Sequence, residues 1–171
     1  GTVATSYVPT YAATATRAAD NVNMAAATFP ASVGMSLYGK FRFMAVPNAQ
    51  SAITAYNGGP DYVSIMENAA SKLSFKVRSQ NGVEFLDLDA FTTSIHKVAG
   101  SMRGVNDAAA SSDGSAIVED DGAVLVLGAA PDQFFVSTIG GTSHSNIPLY
   151  LYEMTLLPRA MTNAELVAMA T

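Results

Sequence analysis

The sequence predicts an all-β fold in which antiparallel strands form a sandwich and one short helix closes the C-terminus. Turn dipeptides recur along the chain, the segments between them alternate apolar and polar residues, and clear helix-start chemistry occurs once, near the end. Many short strands with frequent turns favour a sandwich or barrel over βαβ units. At 171 residues the chain fits one domain with a substantial core.

The first well-patterned strand is segment 35–46, where residue types alternate along the chain. Five apolar residues of one parity are expected to face the core: Met35, Leu37, Phe41, Phe43 and Ala45. The other parity takes the opposite face: Tyr38, Lys40, Arg42 and Met44. Upstream, residues 1–20 are rich in Ala and Thr and contain Pro9. We expect 1–20 to be an extended leader and 21–171 to be the folded domain.

Turn dipeptides whose residues tolerate positive φ mark the hairpins. They are Asn57-Gly58, Asn81-Gly82, Asp113-Gly114 and Asp121-Gly122. Partly alternating arms at 73–78 and 83–88 flank the second turn, and arms at 106–112 and 115–119 flank the third. Segment 95–102 lies between these two hairpins and predicts a further strand.

The C-terminal segment predicts a long strand, a corner and a helix. The apolar run 148–157 ends at Pro158, which cannot donate to a strand ladder. Thr162 stands three residues before Glu165, the capping-box spacing, and Met161 and Leu166 have the spacing of a hydrophobic staple. The helix is therefore expected to begin at Asn163.

Composition and charge exclude several classes of function. The net charge is −5, and no segment clusters the nine Lys and Arg residues, so binding to nucleic acid is not expected. No run approaches the ~18 apolar residues of a membrane span, and the N-terminus lacks the pattern of a signal peptide. The chain has no cysteine. Only 13% of its residues are charged, which indicates a surface of small neutral groups suited to packing in a homo-oligomer.

Three segments resemble concanavalin A-like jelly rolls of the laminin-G type. The final strand, the Pro158-to-Met161 corner and the closing helix resemble the end of such domains. Segment 95–116 is similar to the laminin-G hairpin in which a His-x-Val-Ala strand leads to a strand pair closed by Asp-Gly. Residues 4–10 and 16–20 look like the leader that precedes such jelly rolls in bacteriophage tail and virion proteins. The resemblance implies an antiparallel jelly-roll sandwich located on a virion or extracellular surface.

The sequence offers weak candidates for catalysis, and we expect no enzyme activity. Asp87 and Asp89 would share a strand face, as the acids do in some glycoside hydrolases of this fold, but the third acid of the Glu-x-Asp-x-x-Glu pattern is absent. They are expected to be solvated or to stabilise turns. The two histidines, His96 and His144, lack partners at metal spacing. Ser143 and His144 lack the Gly-x-Ser-x-Gly elbow of a hydrolase triad.

Two loops carry the candidate ligand-binding residues, since sugars bind to planar rings and to hydrogen-bonding side chains. The candidates are Tyr56, Asn57, Asp61 and Tyr62 in the first loop, and His144 and Asn146 in the polar loop 140–146. Alternatively, the tyrosines cover the core and loop 140–146 is a plain connector. The chain has no Trp, which argues against an inherited sugar-stacking platform. Tyr150 and Tyr152 should point away from the core, as either a ligand platform or a subunit contact.

No cofactor is expected, although two oxygen-rich segments could supply calcium ligands, as laminin-G modules often do. These are 111–113 and 119–121; the alternative is ordinary Asp-Gly turn chemistry. The resemblance implies a non-catalytic module of a phage virion or tail that recognises a host-surface glycan. The alternative is a purely structural or assembly module that packs against other virion subunits and binds no sugar.

Overall fold

The computed structural model describes residues 23–25, 34–45, 51–57, 59, 61–68, 70–120, 122, 127–128, 131–136 and 149–171. Within these residues the chain forms eleven strands and one helix. In order they are β1 (Asn23–Ala25), β2 (Met35–Phe43), β3 (Ser51–Tyr56), β4 (Tyr62–Glu67), β5 (Lys72–Ser79), β6 (Gly82–Ala90), β7 (His96–Gly104), β8 (Asp107–Ser112), β9 (Val118–Asp120), β10 (Gln133–Val136), β11 (Leu149–Leu157) and α1 (Asn163–Ala170).

The strands form two antiparallel sheets, which confirms the predicted jelly-roll sandwich. One sheet has six strands in the order β1-β10-β3-β4-β5-β6, and the other has five in the order β11-β2-β7-β8-β9. The chain crosses repeatedly between the sheets. Near its end, β10 returns to the six-stranded sheet beside β3, and β11 then joins the five-stranded sheet beside β2. The expected leader, 1–20, lies outside the described residues, and the division at residue 20 stays a prediction.

The core lies between the two sheets and is built from their inward-facing apolar side chains. Its largest fully buried members include Phe41, Phe43, Ile53, Ile65 and Phe75. The parity predicted for β2 is confirmed for the four core residues up to Phe43. The prediction for Ala45 is wrong, because the strand ends at Phe43 and Ala45 is exposed.

The turns show how far dipeptide signals fix a hairpin. At Asp113-Gly114 both residues have positive φ, 48° and 77°, and Ser115 N donates to Ser112 O at 2.7 Å, as predicted. In the β5–β6 hairpin, however, Ser79 pairs with Gly82, so the two central residues are Gln80 and Asn81 rather than Asn81-Gly82. The hairpin was predicted correctly, but the predicted turn was one residue too far along the chain.

The C-terminal helix packs on the outer face of the five-stranded sheet. Thr162 Oγ1 accepts from Glu165 N at 3.3 Å, while Glu165 Oε2 accepts from Thr162 N at 2.8 Å, which confirms the capping box and the helix start. A second cluster of buried apolar residues lies beneath the helix: Tyr38, Ala99, Ala109, Met161, Leu166 and Ala170. Tyr38 therefore takes the face opposite to the core, as predicted, and is buried there by the helix.

Candidate functional site

The outer face of the six-stranded sheet carries a row of cations on β5. Phe75 and Val77 point into the core, so Lys72, Lys76 and Arg78 point to the opposite face. Folding thus gathers three of the Lys and Arg residues that the sequence shows singly. The sequence contains the signal for this row, since positions 72, 76 and 78 share one strand parity.

Two of the three cations of this row, Lys76 and Arg78, lie over aromatic rings. Lys76 Nζ is 5.2 Å from the centroid of the Tyr62 ring and 4.7 Å from that of Phe85. The Arg78 guanidinium carbon is 5.8 Å from the Tyr62 centroid. Phe85 is an exposed aromatic residue on the neighbouring strand, where it pairs with Lys76. Cations and rings thus alternate across a surface that solvent reaches at Arg78 and Phe85.

Tyr56 and Tyr62 lie directly opposite each other at the end of the β3–β4 hairpin. Tyr56 is half-buried and packs edge-on against Phe135, with the ring centroids 5.8 Å apart. Tyr62 is only 3% exposed. The Tyr62 ring therefore supports the cations above it and does not present an open face. It lies on the face of β4 opposite to the core residues Val63 and Ile65.

Asn57 and Asp61 shape the loop between these tyrosines. Asn57 Oδ1 accepts from Gly59 N at 2.9 Å, and Asp61 Oδ2 accepts from Gly128 N at 2.5 Å. Asp61 is only 2% exposed, and its Oδ1 accepts no hydrogen bond from the described residues. A buried acceptor without a donor is costly, and Asp61 is enclosed by the fold at this end of the sheet.

The remaining predicted site residues, His144 and Asn146, lie outside the described residues. The structure brings Tyr56, Asn57, Asp61 and Tyr62 together at one hairpin. Ligand binding by these residues, and by loop 140–146, stays a prediction.

Asp87 and Asp89 serve different parts of the fold. Asp87 Oδ1 accepts from Ser74 Oγ at 2.7 Å and from Asn68 Nδ2 at 2.5 Å. Asp89 Oδ2 accepts from Ser112 and Ser115, each at 2.7 Å, across the gap to the five-stranded sheet. These bonds match the stabilising role expected for the two carboxylates.

His96 lies at the centre of a buried polar cluster whose partners the sequence did not reveal. Its Nδ1 is 2.7 Å from Asp113 Oδ2, and its Nε2 is 3.1 Å from Thr92 Oγ1. Burial acts to lower the pKa of His96, but the hydrogen bond and the charge of Asp113 outweigh it and raise the pKa. The hydroxyl, imidazole and carboxylate are aligned, yet His96 is only 4% exposed, so the cluster joins two loops and offers no open reaction site.

The segments considered for calcium use their oxygens within the fold. Ser111 Oγ donates to Ser115 O at 2.8 Å, and Glu119 Oε1 accepts from Arg103 at 3.0 Å. Asp121 lies outside the described residues. Among the residues that are described, no three His, Cys, Asp or Glu side chains gather as a metal site would require. Likewise, no helix in the described part of the chain is long and apolar enough to cross a membrane.

Comparison with solved structures shows the same β-sandwich fold in several proteins. The CBM40 module of the Ruminococcus gnavus IT-sialidase bound to α2,3-sialyllactose matches with a TM-score of 0.64 at 13% identity, covering 82% of this chain and 85% of that module. The leech intramolecular trans-sialidase matches with a TM-score of 0.62 at 12% identity, covering 86% of this chain and 27% of that enzyme.

The binding domain of botulinum neurotoxin serotype G also matches, with a TM-score of 0.64 at 9% identity. The match covers 88% of this chain and 40% of the neurotoxin domain. No protein-family model matches the sequence, and a search of curated proteins found no significant match. Likeness at this level of identity shows the fold alone.

Proposed function

We propose that the chain is a non-catalytic glycan-binding module and that its ligands are acidic saccharides. The observation that carries the proposal is the row of Lys76 and Arg78 over the rings of Tyr62 and Phe85. A saccharide carboxylate pairs with the planar guanidinium of Arg78, and the sugar ring lies against Phe85. Tyr56, half-buried at the adjacent hairpin, supplies a ring edge.

The electrostatics support an anionic ligand. The whole chain carries a net charge of −5, and yet this face presents three cations of β5. Of these, only Lys72 has an ion-pair partner among the described residues, Asp87 at 3.8 Å. The CBM40 neighbour, whose structure contains sialyllactose, gives the ligand class a second line of support. Absence of catalysis is proposed because Asp87 and Asp89 are committed to serine and asparagine partners.

The phage setting rests on the leader at 4–10 and 16–20, which lies outside the described residues, and it stays a prediction together with the virion or extracellular location. The alternative of an assembly module without a sugar ligand is distinguished from glycan binding by the experiment below. We also propose that ligand binding does not require calcium.

The test is a titration of 3′-sialyllactose, with lactose as the neutral control, against the wild type and three variants. Arg78→Gln should lower the affinity at least about tenfold, because hydrogen bonds to charged groups contribute ~1.5–3 kcal/mol. Phe85→Ala should also weaken binding. Asn106→Asp makes the same change in net charge as Arg78→Gln at the exposed β7–β8 turn, and it should bind as the wild type does.

Because single carbohydrate sites are weak, the titration should be repeated with the module displayed in many copies, which raises the effective concentration. Absence of binding to a panel of acidic and neutral glycans in both formats would overturn the proposal and favour the assembly module. Hydrolysis of any glycan in the panel, abolished by Asp87→Asn, would contradict the non-catalytic part.

A further inference from the structure

A second set of cations and rings lies on the outer face of the five-stranded sheet, beside the helix. Lys40 and Arg42 point outward from β2, because Phe41 and Phe43 point into the core. Lys40 pairs with Lys97 of β7 on one side and with Glu153 of β11 on the other. On the next outward-facing rung, Arg42 pairs with Tyr150.

Like charges are concentrated here in a way that the fold itself does not require. Lys40 and Lys97 are directly opposite each other, an arrangement that destabilises an antiparallel pair. Glu153 Oε1, at 3.6 Å from Lys40 Nζ, compensates one of the two charges, and the Lys97 ammonium donates to the carbonyl oxygen of Thr171. With Arg42 the surface keeps an excess of positive charge on a chain whose net charge is −5.

The aromatic residues of this surface are open to solvent. Tyr150 is 55% exposed, and Tyr152, the extra residue of a bulge between Leu151 and Glu153, is 49% exposed. The guanidinium of Arg42 is oriented by a bond from its Nε to Thr93 O at 2.8 Å. An oriented arginine beside an exposed ring requires little reordering when a ligand binds.

We propose that this face is a second binding site for an anionic saccharide, with the carboxylate held by Arg42 and Lys97 and the sugar ring against Tyr150. The ligand class is chosen by charge complementarity and by the exposed rings, and its identity as a saccharide rests on the proposed function. The two sites lie on opposite sheets, separated by a core ~10 Å thick. One saccharide therefore cannot occupy both, and a single module bridges two glycans.

The experiment maps 3′-sialyllactose binding by the amide shifts of the ¹⁵N-labelled module. The wild type should show two separate groups of shifted residues, one around Lys76 and Phe85 and one around Arg42 and Tyr150. Arg42→Gln should lose the second group and keep the first with its affinity unchanged, whereas Arg78→Gln should do the reverse. Asn106→Asp should keep both, and lactose should shift the second group much less.

A second measurement tests bridging directly. Mixed with a glycoprotein that carries many sialylated chains, the wild type should form large assemblies detected by light scattering. Arg42→Gln and Arg78→Gln should each bind the glycoprotein without assembling it. If Arg42→Gln fails to fold, Tyr150→Ala takes its place, since it removes an exposed side chain.

The outcomes separate this inference from the proposed function. Shifts confined to the first group overturn the second site and leave the proposed function standing. Shifts confined to the second group support the second site and rule out the first one. No shifts anywhere overturn both. Equal shifts of the second group with lactose overturn the anionic ligand class. Shifts around Tyr150 that follow protein concentration without any ligand show that a second copy covers this face, and they also overturn the second site.

Discussion

The buried His96 and the solvent-exposed Asp113 form a hydrogen-bonded pair whose protonation should affect stability. Burial acts to raise the pKa of Asp113, but the hydrogen bonds from His96 and from Lys97 N, together with the nearby charges, lower it. Because the pKa of His96 is raised by folding, protonated His96 stabilises the fold. This contribution is complete at pH values below 6.5, the ordinary pKa of histidine, and it is lost as the pH rises through the folded-state pKa. Because the pKa of Asp113 is lowered by folding, the ionised carboxylate stabilises the fold at pH values above 3.8. This contribution is lost as the pH falls through the folded-state pKa of Asp113.

The pair should therefore stabilise the fold most between pH values of about 4 and 6.5. We expect the free energy of unfolding, measured by urea denaturation, to fall as the pH rises above 6.5. The decline should be smaller in His96→Gln. Asp113→Asn is the matched variant, because asparagine tolerates the positive φ of this turn position. It should lower the pKa of His96, as followed by NMR, and an unchanged pKa would contradict the pairing.

For individual residues, the sequence predicted the local environment of a side chain better than it predicted the side chain's contacts. His96 lies in a strand that was predicted, and it is buried and hydrogen-bonded there. Its partner Asp113 stands 17 residues away in a turn that was itself predicted, but a strand pattern does not say which side chain a turn carboxylate meets. In the same way, the burial of Tyr62 beneath Lys76 and Arg78 depends on strand neighbours that the sequence does not specify.

The helix α1 is the element that the sequence predicted most completely, because its cap is a local interaction. Arg159 donates to both Glu165 oxygens, at 2.7 and 3.1 Å, and this hydrogen bonding, with that from Thr162, lowers the pKa of Glu165 to about 2. Thr162→Ala should lower the free energy of unfolding by ~1 kcal/mol through loss of the cap. Thr162→Ser should retain most of it. Equal denaturation midpoints for the alanine variant and the wild type would show that the cap does not stabilise the docked helix.

The close approach of β7 to the six-stranded sheet depends on Gly100. A methyl group there would lie 2.2 Å from Cδ2 of the fully buried Phe75 ring. Gly100→Ala should therefore destabilise the fold by ~1–3 kcal/mol, because the core must shift to accept the extra group.

Gly82→Ala is the matched control, since a methyl group at Gly82 meets nothing within 4 Å. Its unfolding free energy should lie within about 0.5 kcal/mol of the wild-type value. Similar losses in both variants, measured by thermal or chemical denaturation, would show that the cost arises from the backbone and not from contact with Phe75.

Across the whole molecule, the alternation of residue types and the turns predicted an antiparallel sandwich or barrel, and the resemblance to jelly rolls indicated the sandwich. They were insufficient to predict the distribution of charge. In the sequence the cations stand singly, whereas in the fold two groups lie on opposite faces, Lys72, Lys76 and Arg78 on one and Lys40, Arg42 and Lys97 on the other. Long-range strand order decides this, because it determines which strands become neighbours.

The distribution of charge predicts a marked effect of salt on binding. Raising NaCl from about 0.05 M to about 0.5 M should weaken the binding of 3′-sialyllactose, because exposed charges are screened over shorter distances. The stability of the fold should change little, since exposed ion pairs contribute little to it. Calorimetric titration and thermal denaturation of the same samples measure both. Binding that is insensitive to salt would contradict recognition through Lys and Arg.

The bulge at Tyr152 has a consequence for the behaviour of the protein at high concentration. β11 is the terminal strand of its sheet as described, and a long regular terminal strand is a template on which other chains can add strands and aggregate. The extra residue interrupts the regular spacing of backbone groups midway along β11, and the charged Glu153 follows it directly. We expect this irregularity to disfavour the addition of further strands at this edge, while Tyr152, the extra residue, remains exposed to solvent.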